Sequence, residues 1–298
     1  MHTENRPVIY GEVLFDIFPD GSTVLGGAPF NVAWHLQAFG RNPLFISRVG
    51  NDSLGRDIRN SMQEWGMDTS GLQLDSSRPT GTVEVRIKGG EPEFEILNDC
   101  AYDNIEVESI PSIEAALLYH GTLILRNKIS AATFSRLRDR IQSPLFLDVN
   151  LRAPWWTKNT LDDSMHGADI VKLNEDELAI LGPASGELKT GAKQLLEEYE
   201  IEQLIVTRGE HGAIVLEASG SVFEIRPGAR APKVIDTVGA GDAFSSTAIL
   251  GKLLRWPVRE TMERAQQFAS AVVGIRGAVV KDMNFYQPFI KDWKLSHS

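Results

Sequence analysis

The fold class is decided by three short apolar runs in the second half of the chain, LFLDV at 145–149, ADIVKL at 168–173 and QLIVT at 203–207. Residues 190–199, between the last two runs, have the spacing of an amphipathic helix. Strands rich in Val, Ile and Leu that alternate with helices are typical of parallel βαβ units covered on both faces. The sequence therefore predicts an α/β fold with a doubly wound, mostly parallel sheet.

The same alternation extends toward the amino terminus. An apolar run at 44–49 precedes a helical stretch at 53–65, and a second run at 117–124 precedes one at 130–141. A chain of 298 residues is long enough for one or two domains. Because neither an internal repeat nor a low-complexity linker interrupts it, we expect a single α/β domain over residues 1–298.

Two segments do not fit this alternation. Residues 82–88 alternate in polarity, turn at Gly89-Gly90 and continue at 93–97, which indicates a two-stranded hairpin, and residues 8–18 are also extended. The residues leave two roles open for these segments, an additional edge meander or a lid over a site. The small β-sheet is expected from two parts of the chain, residues from about 12–28 and 78–100.

The composition excludes several classes of protein. Hydrophobic residues make up 42% of the chain and charged residues 23%, which are ordinary globular values and argue against intrinsic disorder. With 30 basic and 40 acidic side chains the formal charge is −10, and the isoelectric point is near 5.2. Non-specific nucleic-acid binding needs Lys and Arg that neutralise phosphates, so no nucleic-acid partner is expected.

The compartment is inferred from the cysteine content and the apolar runs. Cys100 is the only cysteine, which excludes an intrachain disulfide and a cysteine-based zinc site. Residues 1–18 contain acids and a proline where a signal peptide has a basic stretch followed by an apolar one, and no apolar run approaches ~18 residues. We therefore expect a cytoplasmic protein that has no membrane partner.

The most informative motif is DTVGAGDAF at 236–244. Three small residues precede Asp242, and a helical pattern runs on from Ala243 to Leu254. The first N–H groups of a helix lack partners, and with the positive end of the helix dipole they form an anion site that small residues leave open to a ligand. A carboxylate beside a bound phosphoryl group is suited to accept a hydroxyl proton during phosphoryl transfer.

Other glycine-rich loops do not match this motif. A Walker A loop needs Gly-Lys-Ser/Thr, which is absent, and a dinucleotide fingerprint needs a small residue where Phe244 stands. The residues alone leave a second interpretation open, in which a glycine-rich connector precedes an acid, Asp242, that only stabilises the start of a helix. The spacing of the motif does not decide between the two.

A second glycine motif, GGAPFN, occupies residues 26–31. Pro29 suits the first position of a helix that extends to Gly40. The paired Gly26 and Gly27 allow a ligand to approach the backbone, and Asn31 offers both a donor and an acceptor. Taken alone, the motif favours an ordinary helix start over a ligand site.

Together, the two motifs resemble the two signatures of the ribokinase-like (PfkB) sugar kinase family, and they occur in the same order. The resemblance extends over nearly the whole chain. It implies ATP-dependent phosphorylation of a sugar hydroxyl by a ribokinase-like α/β core that carries a small β-sheet lid. The cofactors that it implies are ATP and Mg²⁺, and many relatives also bind K⁺.

The resemblance assigns a role to the residues of both motifs. It makes Asp242 the catalytic base, and it makes the backbone N–H groups of the three preceding residues, Gly239, Ala240 and Gly241, the anion hole. For the sugar it implies four binding residues, Asp16, Gly26, Gly27 and Asn31. The sugar is then expected between these residues and Asp242, under the lid, with its primary hydroxyl in line with the γ-phosphate.

Further elements of the family match the predicted sheet. Asn174 and Glu177 match the N-x-x-E element, which is linked to Mg²⁺ and phosphate through water. An acid three residues after Asn is also a capping box, and one set of residues is able to serve both purposes. Asn150, Asn174 and Thr207 each follow a predicted parallel strand, and ligands of open α/β sheets bind at that edge.

The remaining assignments concern the nucleotide and a monovalent cation. The chain departs from the family pattern at Ser270, where relatives often carry Asn or His near the adenine. K⁺ is expected to bind backbone oxygens near Asp236 and Val238. Nucleotide contacts are expected at Asn174, Thr207, Gly209, Gly212 and Ser270.

The identity of the sugar is indicated by weaker signals. The run DVNLR at 148–152, followed by Trp155-Trp156, resembles the corresponding segment of fructokinase-type members. Arg152 is a candidate for binding sugar hydroxyls, and a surface salt bridge is the alternative. Fructose is the favoured substrate, with ribose, 2-keto-3-deoxygluconate and a nucleoside as competitors.

A function of a different class stays open, that of a non-catalytic sugar or nucleotide binder with the same fold. A binder has no need of Asp242 or of the small residues before it, so their presence favours the kinase. Because exposed edge strands tend to pair, the lid sheet is also a candidate surface for a homodimer.

Overall fold

The computed structural model of the chain describes residues 5–88, 91–182, 187–228 and 234–295. Strands and helices alternate along much of these residues. The strands are β1 (Arg6–Tyr10), β2 (Leu14–Ile17), β3 (Thr23–Gly26), β4 (Leu44–Gly50), β5 (Leu72–Asp75), β6 (Gly81–Lys88), β7 (Glu91–Ile96), β8 (Ala115–Gly121), β9 (Leu145–Asp148), β10 (Ile170–Asn174), β11 (Gln203–Thr207), β12 (Ala213–Glu217) and β13 (Val222–Ile225). The helices are α1 (Ala28–Ala38), α2 (Ser53–Glu64), α3 (Lys128–Arg140), α4 (Lys158–His166), α5 (Glu175–Leu181), α6 (Leu188–Glu198), α7 (Ala240–Leu254), α8 (Val258–Val272) and α9 (Met283–Asp292).

Backbone contacts divide the chain into two compact units. The first unit consists of Met1–Ala115, Ile124–Gln142 and Gly277–Ser298, and the second of Ala116–Leu123 and Ser143–Arg276. The boundary is crossed several times, so no single linker marks it in the sequence. The single domain expected over residues 1–298 stays a prediction.

The second unit is built on a mostly parallel sheet. Its strands follow the order β8-β9-β10-β11-β12-β13. Neighbouring strands from β8 to β11 are parallel, whereas β12 is antiparallel to both of its neighbours, β11 and β13. Every residue of β9 is buried, and so are the residues of β10 from Ile170 to Leu173. Burial of this kind is typical of a parallel sheet that helices cover on both faces. The α/β class that the apolar runs predict is confirmed.

Helix α7 is buried along most of its length. Residues 243–251 are all buried, so every side of this stretch of the helix lies in the protein interior. Its buried hydroxyl groups are satisfied locally, since Ser246 Oγ and Thr247 Oγ1 both donate to Ala243 O, at 2.7 and 3.2 Å. Within the described residues, no helix is long and apolar enough to cross a membrane.

The first unit contains two groups of strands. Strands β1, β4 and β5 pair in parallel, in that order. A separate small sheet has the order β3-β2-β6-β7, with β2 and β6 parallel and the outer pairs antiparallel. All four strands lie within residues 12–28 and 78–100, so the small sheet that the sequence predicts from these ranges is confirmed; its role as a lid stays a prediction.

The extended run at 8–18 is divided between two sheets. β1 pairs with β4, whereas β2, which lies within the range 12–28 expected for the small sheet, pairs with β3. Val8, Ile9 and Tyr10 are fully buried, as in a strand covered on both faces. Gly11 follows β1 directly, and a Cβ there would collide with the ring of Pro29, so only glycine fits at this position.

The predicted apolar run at 117–124 also ends earlier than expected. Strand β8 stops at Gly121, and Leu123–Leu125 forms a 3₁₀ helix before α3. Thr122 Oγ1 donates to Val149 O at 2.7 Å, which ends the strand with a side-chain hydrogen bond. The tip of the predicted hairpin, Gly89-Gly90, lies outside the described residues.

Candidate active site

The turn before α7 has the conformation that its glycine motif predicts. Gly239 has a φ of +80°, in the left-handed region that favours glycine, and the helix begins at Ala240. Ala243 N donates to Gly239 O at 2.8 Å, and Asp242 lies in the first turn of the helix. The half-buried carboxylate therefore stands beside the amides at the positive end of the helix.

The predicted anion hole consists of the backbone of Gly239, Ala240 and Gly241. The Ala240 amide makes only a long contact of 3.4 Å with Thr237 O. Gly241 is exposed, and a Cβ at this position would stand 3.5 Å from Lys172 Nζ. The turn thus combines accessible backbone with a nearby ammonium group, which suits an anion.

The residues expected to bind K⁺ lie in one turn immediately before this motif. Asp236 Oδ1 accepts a hydrogen bond from Val238 N at 3.0 Å. Ile235 N and Asp236 N both donate to Val273 O, at 2.9 and 3.2 Å, which ties the turn to the end of α8. Carbonyl oxygens are the ligands that K⁺ takes in proteins, and the K⁺ site stays a prediction.

Two of the polar residues that follow parallel strands are neighbours at the carboxyl edge of the sheet. Asn174 and Thr207 are register partners at the ends of β10 and β11. Asn150 follows β9 by two residues and has a φ of +37°. Thr207 Oγ1 makes a long hydrogen bond of 3.4 Å to Leu173 O. This is the edge at which open α/β sheets bind ligands.

Asn174 and Glu177 form the capping box that the sequence allows. Glu177 N donates to Asn174 Oδ1 at 2.8 Å, and Asn174 N donates to Glu177 Oε2 at 2.9 Å. The second carboxylate oxygen, Oε1, accepts from Leu151 N at 2.7 Å. Burial raises the pKa of the Glu177 carboxyl, and the two amide hydrogen bonds offset this only in part.

The donor set at this edge fits Mg²⁺ held through water. Among the described residues, no group of three or more His, Cys, Asp or Glu side chains is arranged to hold a metal ion. Mg²⁺ keeps several waters and takes one or two carboxylates in addition to substrate phosphates. Glu177 has both oxygens engaged by amides, so it is suited to bind a water of the Mg²⁺ shell through the lone pairs that are left.

The turn expected beneath the nucleotide is a 3₁₀ turn, Gly209–His211, between β11 and β12. Gly209 and Gly212 have φ values of +50° and +85°. A Cβ on Gly212 would collide with Ile225 O, so only glycine fits there. Arg208 N donates to Gly212 O at 2.7 Å, which closes the turn and returns the chain as an antiparallel strand.

Two other predicted ligand residues lie apart from this turn. Ser270 is near the end of α8, and its hydroxyl accepts a hydrogen bond of 3.3 Å from Gln266 Nε2. Arg152 is exposed in the loop after β9, and within the described residues no carboxylate pairs with it. In that part of the chain, Arg152 therefore has no partner for the surface salt bridge that was its alternative role.

The predicted sugar-binding residues of the first unit lie close to one another. Gly27 has a φ of +107°, and a Cβ there would stand 2.7 Å from Glu12 O. A Cβ on Gly26 would be 3.5 Å from Asp16 Oδ2, so glycine leaves space beside this carboxylate. Asn31 is buried in the first turn of α1, where its N donates to Gly27 O at 2.9 Å.

The second unit contains a buried polar network that no sequence motif singles out. Lys172 Nζ contacts both carboxylate oxygens of Asp148 at 2.8 Å. Asp148 Oδ2 also accepts from Ser245 Oγ at 2.7 Å and from Tyr119 OH at 3.3 Å. All four side chains are buried. The available signal was an acid at the end of one apolar strand, Asp148 on β9, and a lysine in the middle of the next, Lys172 on β10.

Comparison with known proteins relates this chain to sugar kinases. The profile of the family described as pfkB family carbohydrate kinase matches residues 11–283. A fructokinase of Salmonella typhimurium is 32% identical over 252 residues, which cover 79% of this chain and 80% of that protein. The fructokinase of Vibrio cholerae O395, solved with fructose, ADP and a calcium ion, has a TM-score of 0.82 at 26% identity and covers 96% of this chain and 99% of its own. A fructokinase of Xylella fastidiosa with bound ATP shares the fold, with a TM-score of 0.85 at 20% identity over 98% of this chain and 99% of its own.

Proposed function

The chain belongs to the pfkB family of carbohydrate kinases, and from this we propose that it transfers the γ-phosphoryl group of ATP to a primary hydroxyl of fructose. The family resemblance of the two glycine motifs is thereby confirmed. One observation carries the proposal for the chemistry, namely that Asp242 lies in the first turn of α7 directly after the left-handed Gly239. The similarity to fructokinases supports the choice of sugar.

Proton transfer is the role proposed for Asp242. As the hydroxyl oxygen of the sugar attacks the phosphorus, its proton passes to the carboxylate, and the bond between the γ-phosphorus and the bridging oxygen of ADP breaks. The amides of Gly239, Ala240 and Gly241 bind the negative charge that spreads over the phosphoryl oxygens. Because these donors are fixed by the start of a buried helix, they need little reorganisation when the charge develops.

A metal ion completes the phosphate site. Mg²⁺, when bound, neutralises charge on the β- and γ-phosphates, and Glu177 with Asn174 is the pair proposed to hold it through water. The capping box keeps the carboxylate of Glu177 in one orientation, which supports this role. K⁺, bound by the backbone at Asp236 and Val238, is proposed as a second cation near the turn.

The sugar is proposed to bind residues of the first glycine motif together with Asp16 on β2. Asp16 and Asn31 offer the hydrogen-bonding groups that recognise hydroxyls, and Gly26 and Gly27 leave the backbone open to close approach. Arg152 is a further candidate because its guanidinium is exposed and donates in several directions. The small sheet is proposed to act as a lid that excludes water, which would otherwise accept the phosphoryl group.

The nucleotide is proposed to occupy the carboxyl edge of the second unit's sheet. Thr207, Gly209 and Gly212 form the tight turn at the end of β11, and Asn174 is the register partner of Thr207. Ser270 is the residue proposed nearest the adenine.

The cytoplasm, which supplies ATP and keeps Cys100 reduced, is the compartment that suits this reaction. A homodimer through the small sheet is proposed because β3 and β7 are its edge strands.

The experiment that tests the sugar assignment measures ADP release with Mg·ATP across fructose, ribose, glucose, 2-keto-3-deoxygluconate and adenosine. We expect kcat/KM for fructose to exceed that for each other acceptor by at least about 10-fold, a difference of about 1.4 kcal/mol in transition-state binding. Phosphorus NMR of the product then shows whether a primary hydroxyl carries the phosphate.

The outcomes separate the competing functions. Preferred turnover of ribose, 2-keto-3-deoxygluconate or adenosine would overturn fructose and keep the kinase. Binding of ATP or a sugar by calorimetry without turnover of any acceptor would instead favour the non-catalytic binder. In addition, the variant Asp16→Asn should raise KM for the sugar far more than KM for ATP, because Asp16 is assigned to the sugar alone.

A further inference from the structure

A lysine that the reaction scheme leaves unused lies directly behind the proposed anion hole. Lys172 is on β10 and is 6% exposed. Its Nζ lies 3.5 Å from the point where a Cβ on Gly241 would stand. Because Gly241 has no side chain, the ammonium group can lie against the backbone of the turn that ends the glycine motif.

The charge of this lysine is compensated from the opposite side. Asp148, its register partner on β9, contacts Nζ through both oxygens at 2.8 Å. Two buried charges of opposite sign are tolerated in this way when their remaining hydrogen-bonding capacity is used. No Asp148 atom comes within 4 Å of the Gly241 Cβ point, so the positive end of the pair faces the turn.

The same pair is fastened to the helix that carries the proposed base. Ser245 Oγ donates to Asp148 Oδ2 at 2.7 Å, and Ser245 is fully buried. Ser245 follows Asp242 by three residues, and residues three apart lie on the same face of an α-helix. The hydrogen bond from Ser245 therefore restricts the rotation of α7 about its own axis. It does so from the same face of the helix that carries Asp242.

We propose that Lys172 is a positioning residue for phosphoryl transfer. Acting with Asp148 and Ser245, it holds the first turn of α7, which includes Gly241, in the orientation that the anion hole and Asp242 require. Its ammonium also adds positive charge behind the amides that bind the transferred group. The inference rests on the proposed roles of Asp242 and the anion hole, and it adds a residue that lies outside both glycine motifs.

The test compares Lys172→Met and Ser245→Ala with a matched control, Arg48→Met. Arg48, whose side chain is 12% exposed, pairs with Asp75 between two parallel strands of the first unit, with Nε 3.1 Å from Oδ2, and it also pairs with Glu106 at 2.7 Å. Each variant is examined by thermal unfolding and by hydrogen exchange of residues 236–246 without ligand. Steady-state kinetics are followed by calorimetry with ADP alone and with ADP, aluminium fluoride and sugar, which imitate the transition state.

A positioning role predicts a specific set of results. Lys172→Met should lower kcat about 10- to 100-fold with little change in KM, since a small displacement of a catalytic group is costly. Ser245→Ala should lower kcat about 5-fold through the same network. Both should speed exchange at 236–246 and weaken the aluminium fluoride complex at least about 10-fold more than the ADP complex. Arg48→Met should lower the Tm and leave these quantities within about 3-fold.

Other results would overturn the proposal. An unchanged kcat in folded Lys172→Met, or equal weakening of the ADP and aluminium fluoride complexes, would reduce the pair to a structural role. If Lys172→Met does not fold, the double variant Lys172→Met/Asp148→Asn removes both charges together and is judged by the same criteria. Absence of turnover by the unmodified protein on every sugar would contradict the proposed function, whereas the exchange data would still report whether Lys172 holds the turn.

Discussion

Asn174 and Glu177 cap each other across the first turn of α5, each accepting a hydrogen bond from the other's amide, at 2.8 and 2.9 Å. The side chains proposed to hold the water shell of Mg²⁺ are thus also those that begin the helix. Leu151 N adds a third amide to this arrangement. The two roles are compatible because each carboxylate oxygen has two lone pairs.

The first prediction separates these two roles. Glu177→Gln should raise the Mg²⁺ concentration needed for half-maximal activity about 10-fold, because it removes the negative charge that faces the ion's water shell. A matched control is Thr160→Ala, which breaks the capping box of Thr157 and Thr160 at the start of α4. Titrations of activity with Mg²⁺ check this. An equal shift in both variants would attribute the effect to helix stability alone.

The second prediction concerns the left-handed glycine before α7. Gly239→Ala should destabilise the fold by about 1–2 kcal/mol, the cost of a Cβ in that conformation, and should also lower kcat/KM for ATP at least about 10-fold. Gly220, in the turn between β12 and β13, has a similar φ of +88° with open space around it. Gly220→Ala should therefore show a comparable stability loss in urea titrations without the kinetic loss. Equal kinetics for the two variants would remove Gly239 from the site.

The third prediction is a pH dependence of stability at Asp52, the N-cap of α2. Burial alone would raise the pKa of this carboxyl, but hydrogen bonds from Thr80 N, Gly55 N and Thr80 Oγ1, at 2.7–2.8 Å, hold the pKa below its usual 3.8. A lowered folded-state pKa means that the carboxylate stabilises the fold above about pH 4 and that this stabilisation is lost as pH falls through the lower value.

Urea unfolding of Asp52→Ala across pH checks this dependence. At pH 7 the variant should be less stable than the unmodified protein by about 1–2 kcal/mol, the usual cost of losing an N-cap. The difference should shrink below pH 4, when the carboxyl becomes protonated in both folded and unfolded chains. A difference that stays constant down to pH 3 would contradict the assignment of the stabilisation to the charged form.

The fourth prediction concerns the single cysteine. Burial, together with the neighbouring Asp103 carboxylate, raises the pKa of the Cys100 thiol to about 12. The thiolate is the reactive form, and at pH 8 only about one thiol in ten thousand is ionised. A disulfide reagent should therefore react at least about 100-fold more slowly with the native protein than with the protein in urea. Comparable rates in the two conditions would show that Cys100 is accessible.

Local pattern was sufficient for much of the fold. The apolar runs that became β9, β10 and β11 predicted parallel strands, and the small residues before Asp242 predicted a helix start, because strand burial and helix capping depend on near neighbours in sequence. The division of the extended run at 8–18 into two strands was harder to predict. Gly11, which follows the first strand, packs against Pro29, and these residues are 18 positions apart in the sequence.

The parts of the site that the sequence did not predict depend on contacts between distant segments. Asp148, Lys172 and Ser245 meet only when β9, β10 and α7 pack together, and no local pattern joins residues 97 positions apart. The capping box was predictable because its two residues are three positions apart. The sugar and cation assignments came from the family resemblance and stay predictions.

The most direct test of the central claim is the turnover of Asp242→Asn with Mg·ATP and fructose, measured as ADP release. We expect kcat to fall about 10²- to 10⁴-fold, the contribution of a catalytic base, while Tm and ADP affinity stay unchanged. Asp139→Asn, at an exposed position of α3, should keep full activity and serves as the matched control. A folded Asp242→Asn protein that retains more than about a tenth of the turnover would contradict the claim that this carboxylate takes the proton.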